Sequence, residues 1–164
     1  NGIGPVLEMK DVLAVLRQEE GRPLDLEKKA VFLASELLNF IGMPKSHALH
    51  QASSLLKSGL AFEKFKQIIH VQGGEIKKLE PAKFKEDVKA WKSGKIISID
   101  NKRVSLIARL AGCPVDKRAG LFLYKKLGEK VKKNELLFTI YAETKEKLNY
   151  AKQFVKHLPP FLIG

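Results

Sequence analysis

Apolar residues in the first half of the chain recur at helical spacing. After Gly4-Pro5, positions Val6, Leu7, Val12, Leu13 and Leu16 keep that spacing until Gly21-Arg22-Pro23 breaks it. Asp25 stands where an N-cap belongs. Behind it Leu26, Ala30, Leu33, Leu37 and Ile41 form the stripe of an amphipathic helix. Gly42 closes that helix and Pro44 reopens the chain. A third helix is predicted over Ser46–Lys57. A fourth follows Ser58-Gly59, carries Leu60, Phe62, Phe65, Ile68 and Ile69, and stops at Gly73-Gly74. Four helices on short loops cannot all face one core in so short a segment. Some apolar surface is therefore expected to await another part of the protein.

The pattern changes near Glu80-Pro81. Short β-like runs appear at Val88–Trp91, Lys95–Ile99, Leu121–Tyr124 and Leu136–Tyr141, separated by Ser93-Gly94, Gly112–Pro114 and Gly128-Glu129. One helix interrupts them. Asp100 caps it, Val104, Ile107, Ala108 and Ala111 line one side, and Gly112 ends it. Thr144 caps a last helix whose buried stripe is Leu148, Ala151, Phe154 and Val155, and Pro159-Pro160 stops it. The predicted class is α+β: about four helices over residues 1–80, then a smaller α+β domain over residues 81–164.

The segment Leu127-Gly-Glu-Lys-Val-Lys-Lys-Asn-Glu-Leu-Leu places Gly128 at a tight turn between two strands, with Val131 pointing inward. This hairpin resembles those of biotinyl and lipoyl domains, so the C-terminal domain is expected to be a small α/β-hammerhead. The exposed turn with its modified Lys, usually beside Met or Asp-Ala, is not reproduced here. No swinging-arm carrier is expected.

Composition narrows the picture. With 164 residues and 45% hydrophobic content the chain can bury a core, and its 29% charged residues are ordinary for a globular protein. The lone Cys113 rules out an internal disulfide and fits a reducing cytoplasm. No apolar run reaches the roughly 18 residues of a membrane span. The start, Asn-Gly-Ile-Gly-Pro, has neither an initiator Met nor the regions of a signal peptide, and reads as the middle of a longer protein.

The net charge of +12 is unevenly placed. Residues 1–82 carry +1 and residues 83–164 carry +11, with only three Arg in the second half. Base readers and bidentate phosphate clamps favour Arg. A Lys excess without aromatic–basic interleaving suggests a solvated face rather than a nucleic-acid interface. A basic module for RNA or another polyanion is the alternative, and its binding would weaken steeply with salt.

The candidate chemistry is sparse. His47 and His50 share a helix face and could supply two metal ligands, but no Cys, Asp or Glu stands at a supporting spacing. They are expected to be structural or surface histidines, as are the isolated His70 and His157. Cys113 follows a glycine at a helix end, with Lys117 and Arg118 nearby, and is expected to be a packing residue rather than a reactive thiol. Gly2, Gly4 and Pro5 precede a helix whose amides could take a phosphate. Glu8 would repel an anion there, and the acidic Glu8–Asp11 pair suits a cation better. A plain loop-to-helix turn is the expected reading.

Several motifs, taken in order, resemble the thymidine and pyrimidine-nucleoside phosphorylases. They resemble still more their archaeal relatives that phosphorolyse nucleoside monophosphates, chiefly AMP. The motifs are Gly2-Ile-Gly-Pro-Val-Leu-Glu8 running into Asp11-Val-Leu, Ser58-Gly59 with Ala61-Phe-Glu-Lys-Phe, and Gln72-Gly-Gly. Ile107-Ala-Arg-Leu-Ala-Gly112, Asp116-Lys-Arg-Ala-Gly120 and Leu127-Gly-Glu-Lys-Val complete the set. Bacterial members usually show Gly-Asn where Gly4-Pro5 stands.

The resemblance implies the C-terminal portion of a pentosyltransferase, in which phosphate attacks the anomeric carbon of a ribosyl group while the base leaves. The phosphate loop and the residues that grip base and sugar would lie upstream. No position here is therefore expected to be catalytic or substrate-binding, and the chain alone is expected to be inactive. No cofactor is implied beyond a monovalent cation at an incomplete site, for which Gly2 (carbonyl) and Asp11 (carboxylate, in place of the more usual Glu) would correspond. Phosphate and a nucleoside or nucleoside monophosphate are the implied partners of the whole enzyme. A homo-oligomer, a cytoplasmic location and no membrane partner are also expected.

Overall fold

The computed structural model describes all 164 residues. The chain is mixed α and β, with six helices and antiparallel sheets, and divides into two compact units. One unit joins Asn1–Met9 to Leu79–Gly164, and the other is Lys10–Lys78. The first nine residues thus belong with the C-terminal part. The sequence pattern groups residues 1–80 as one helical segment because β1 (Gly2–Ile3) is too short to leave a periodic signature.

The helical unit holds most of α1 (Pro5–Leu16), then α2 (Leu24–Phe40), α3 (Lys45–Lys57) and α4 (Leu60–Val71). Asp25 is not the N-cap of α2. That position is Pro23, in extended backbone, and Asp25 lies in the acidic first turn with Glu27, where it favours the helix dipole. Arg22 and Gln18 both donate to Glu27, which fastens the loop before α2. The Arg22 guanidinium, more than the Gln18 amide, holds the Glu27 carboxyl below its usual range. α3 buries Ala48, Ala52 and Leu56, one residue per turn on one face, and packs mainly against α2. The α2 stripe behaves differently from its pattern: Ala30, Leu33, Leu37 and Ile41 are exposed, and Ser35 is the helix's only buried residue.

The other unit contains β1, then β2 (Phe84–Lys89), β3 (Gly94–Ile99), α5 (Asn101–Leu110), β4 (Gly120–Leu123), β5 (Lys130–Val131), β6 (Leu136–Ala142), α6 (Lys145–His157) and β7 (Phe161–Ile163). A four-stranded sheet runs β1-β4-β6-β2 and a three-stranded sheet runs β5-β3-β7, antiparallel at every pairing. Both helix caps read from the sequence are present. Asp100 accepts from the Lys102 and Arg103 amides, and Thr144 accepts from the Lys147 amide. The core joins both sheets to α5 and α6 through Ile96, Ile107, Leu121, Phe138, Ile140, Ala151 and Phe161.

Two strand expectations are corrected. The run expected at Val88–Trp91 begins earlier, because Phe84 to Val88 pair in register with β6, and a bulge then shifts the register so that Lys89, the last residue of β2, pairs with Leu136. Gly128 does not close a hairpin between neighbouring strands. The chain leaves β4 and crosses to the other sheet, where Gly94 pairs with Val131 and Lys95 with Lys130. Val131 is buried as expected.

Candidate functional site

Motifs from both ends of the chain meet in the C-terminal unit. β1 pairs with β4, placing Gly2 opposite Phe122 and Ile3 opposite Leu121. The approach is so close that only glycine fits at two positions. At Gly4 (φ 120°) a Cβ would collide with the Ala119 carbonyl, and at Gly120 (φ 149°) with the Ile3 carbonyl. The intervening loop is tied in turn: the Asp116 carboxylate lies against Gly112 and accepts from Lys147 Nζ at 2.6 Å.

This junction also settles the helix N-terminus. The Gly4 amide donates to Glu8 Oε1 at 2.9 Å, and the Val6 amide donates to the Lys117 carbonyl at 3.0 Å. Amides that could have held a phosphate are already satisfied within the protein. The turn is structural.

The sequence-derived candidates are not brought together. His47 and His50 are exposed on α3, His70 on α4 and His157 on α6. No group of three or more His, Cys, Asp or Glu side chains could hold a metal ion. Cys113 is half-buried, and burial pushes its thiol up from the usual range, with Glu8 adding to the rise and Lys117 opposing it. A thiol held protonated is a poor nucleophile. Gly2 lies in β1, in the C-terminal unit; Asp11 is a buried carboxylate on α1, in the stretch assigned to the helical unit.

A polar cluster the sequence did not reveal sits on the four-stranded sheet. Register places Asp87 of β2 and Phe122 of β4 opposite Thr139 of β6. The Thr139 hydroxyl, 1% exposed, donates to Asp87 Oδ1 at 2.6 Å and lies 3.4 Å from the Tyr124 hydroxyl. Burial, then Tyr124 and Asp87, pushes the neighbouring Tyr141 phenol up to about 12. Such a phenol stays protonated at neutral pH and cannot serve as a base there. Its neutral form stabilises the fold fully below the ordinary value of about 10, and this contribution fades as pH rises toward about 12. In an ultraviolet phenolate titration, one of the three tyrosines is expected to ionise last, and Tyr141→Phe removes that late step. A late step that survives the substitution contradicts the assignment.

The positive charge is partly paired. Lys125 meets Glu135, Lys147 meets Asp116 and Lys152 meets Glu86, while Lys95 stands directly opposite Lys130 on β5. No helix is long and apolar enough to cross a membrane.

A domain described as the pyrimidine nucleoside phosphorylase C-terminal domain matches residues 95–159. The AMP phosphorylase of Methanococcoides burtonii is 44% identical over 98% of this chain. Over nearly its whole length the chain is similar to the C-terminal part of proteins named AMP phosphorylase and putative thymidine phosphorylase. A putative thymidine phosphorylase of Legionella pneumophila (strain Paris) is 41% identical over 99% of the chain, and the AMP phosphorylase of Methanococcus aeolicus is 38% identical over 98%. The match covers 33%, 32% and 33% of these relatives, in their C-terminal part. The chain therefore spans about a third of the length of the curated relatives it matches. Family members named for different substrates match to nearly the same degree, and archaeal and bacterial relatives both do so.

Proposed function

We propose that this chain is the C-terminal part of a nucleoside or nucleoside-monophosphate phosphorylase and that its own role is structural. The whole enzyme would transfer a ribosyl group from a base to phosphate. The observation that carries this reading is the alignment of relatives named AMP phosphorylase along nearly all of this chain but only a third of themselves. The sparse chemistry supports it: the family motifs meet as close-packed glycines and satisfied amides, not as an acid, base or nucleophile. On the same reading the C-terminal unit is of the α/β-hammerhead type, supported by its two antiparallel sheets with α5 and α6. It would brace the upstream phosphate-binding part of a homo-oligomeric enzyme.

A monovalent cation belongs to this reading as well. The Gly2 carbonyl and the Asp11 carboxylate are hard oxygen donors of the kind alkali cations accept, and Asp11 is a carboxylate kept from bulk water.

The test is a chimera joining the N-terminal two-thirds of the Methanococcoides burtonii relative to Asn1 of this chain. The chimera is expected to release adenine from AMP only when phosphate is present, and this chain alone is expected to release none. Thymidine serves as the second substrate. An inactive chimera, or turnover by the chain alone, overturns the proposal.

A further inference from the structure

The helical unit presents an apolar face that its own residues do not cover. α2 is 17 residues long yet buries only Ser35, although helices in water are held chiefly by packing an apolar stripe. Leu37 is 69% exposed and Phe40 89% exposed, with Leu33 and Ile41 also open. Beside them lies a groove of about 550 Å³, walled by Val12 and Leu16 of α1, Leu37 and Leu38 of α2, and Leu55 of α3. Every residue lining it is Val, Leu, Ile, Ala or Phe. A wall without a donor, an acceptor or a charge cannot select a phosphate, a nucleotide or a metal ion. It suits the apolar side chains of another polypeptide, and exposed apolar patches of this kind mark interaction sites.

The relatives indicate which polypeptide. Their matches run over nearly the whole chain, and about two-thirds of their length lies outside it. We infer that the α1–α2–α3 groove is the docking face for the polypeptide corresponding to those remaining two-thirds, which inserts the apolar side of a helix or strand. This inference rests on the phosphorylase reading proposed above.

The N-terminal two-thirds of the Methanococcoides burtonii relative, produced separately, is immobilised and this chain is passed over it. Saturable binding is expected. Leu37→Asp and Phe40→Asp should each weaken it at least tenfold, with circular dichroism unchanged because both side chains already face water. Leu127→Asp, exposed in the other unit, should leave binding unchanged. In the covalent chimera the same contact should slow amide hydrogen exchange across α2 relative to the chain alone. Equal exchange, no binding by the unaltered chain, or face variants that bind as the unaltered chain does would each overturn the docking proposal. So would a dimer of this chain that Leu37→Asp dissociates, since a second copy would then fill the groove. Binding and slowed exchange in a chimera without phosphorolysis would support the docking face while overturning the functional reading.

Discussion

Gly120→Ala is expected to destabilise the unit formed by Asn1–Met9 and Leu79–Gly164 by about 3 kcal/mol or more. Two costs combine. Gly120 has φ 149°, a conformation L side chains rarely adopt, and such strain costs of order 1–3 kcal/mol. Its new methyl group would also run into the Ile3 carbonyl, which is main chain and can yield only if β1 moves off β4. Overpacking of this kind costs typically about 1–3 kcal/mol more. For a unit of this size the melting midpoint should fall by about 12 °C or more. Gly21→Ala is the control: its φ is also positive, but nothing lies within reach of the added carbon. A Gly120→Ala midpoint no lower than the Gly21→Ala midpoint would show that the strand contact is slack.

Phe138→Ala should cost about 3–5 kcal/mol, as a large buried aromatic ring does when it leaves a cavity. Phe138 is among the largest fully buried side chains and stacks on Phe161, with ring centroids 5.5 Å apart and planes inclined by 13°. The stack joins β6 of one sheet to β7 of the other, so removing one ring opens the space between them. Phe40→Ala removes the same number of atoms from an exposed position and should change stability by no more than about 0.5 kcal/mol. Urea unfolding midpoints of the two variants measure the contrast. Equal losses would mean that exposure on α2 is not what the chain experiences in solution.

The elements legible in the sequence were those whose signals are local. Asp100 and Thr144 cap α5 and α6 because an N-cap needs only its own side chain and amides two or three residues on. The α2 stripe was legible as a helix, but periodicity records that a face is apolar and not whether anything covers it. β1 and β7 were missed because strands of two and three residues exist through their partners. Gly128 misled for the same reason: the turn chemistry is local, whereas the choice of β3 as partner for β5 is made by the whole unit. In the candidate site, Gly4 and Gly120 each stood out within a motif, yet their mutual contact crosses most of the chain. The Asp87–Tyr124–Thr139–Tyr141 cluster depended on strand register, which the alternating pattern could not fix once the start of β2 was misplaced.

The pairing of β1 with β4 has a topological consequence. Residues 10–78 leave the small domain that holds β1 and return to it, so that domain is host to both ends of its helical guest. A host that clasps both ends of its guest limits the excursions of the guest's ends even where the chain between is free. Loop-closure entropy grows only slowly with loop length. Lengthening or shortening the guest would therefore barely disturb the clasp, whereas loosening the two-residue strand would release the end of the guest that follows Met9.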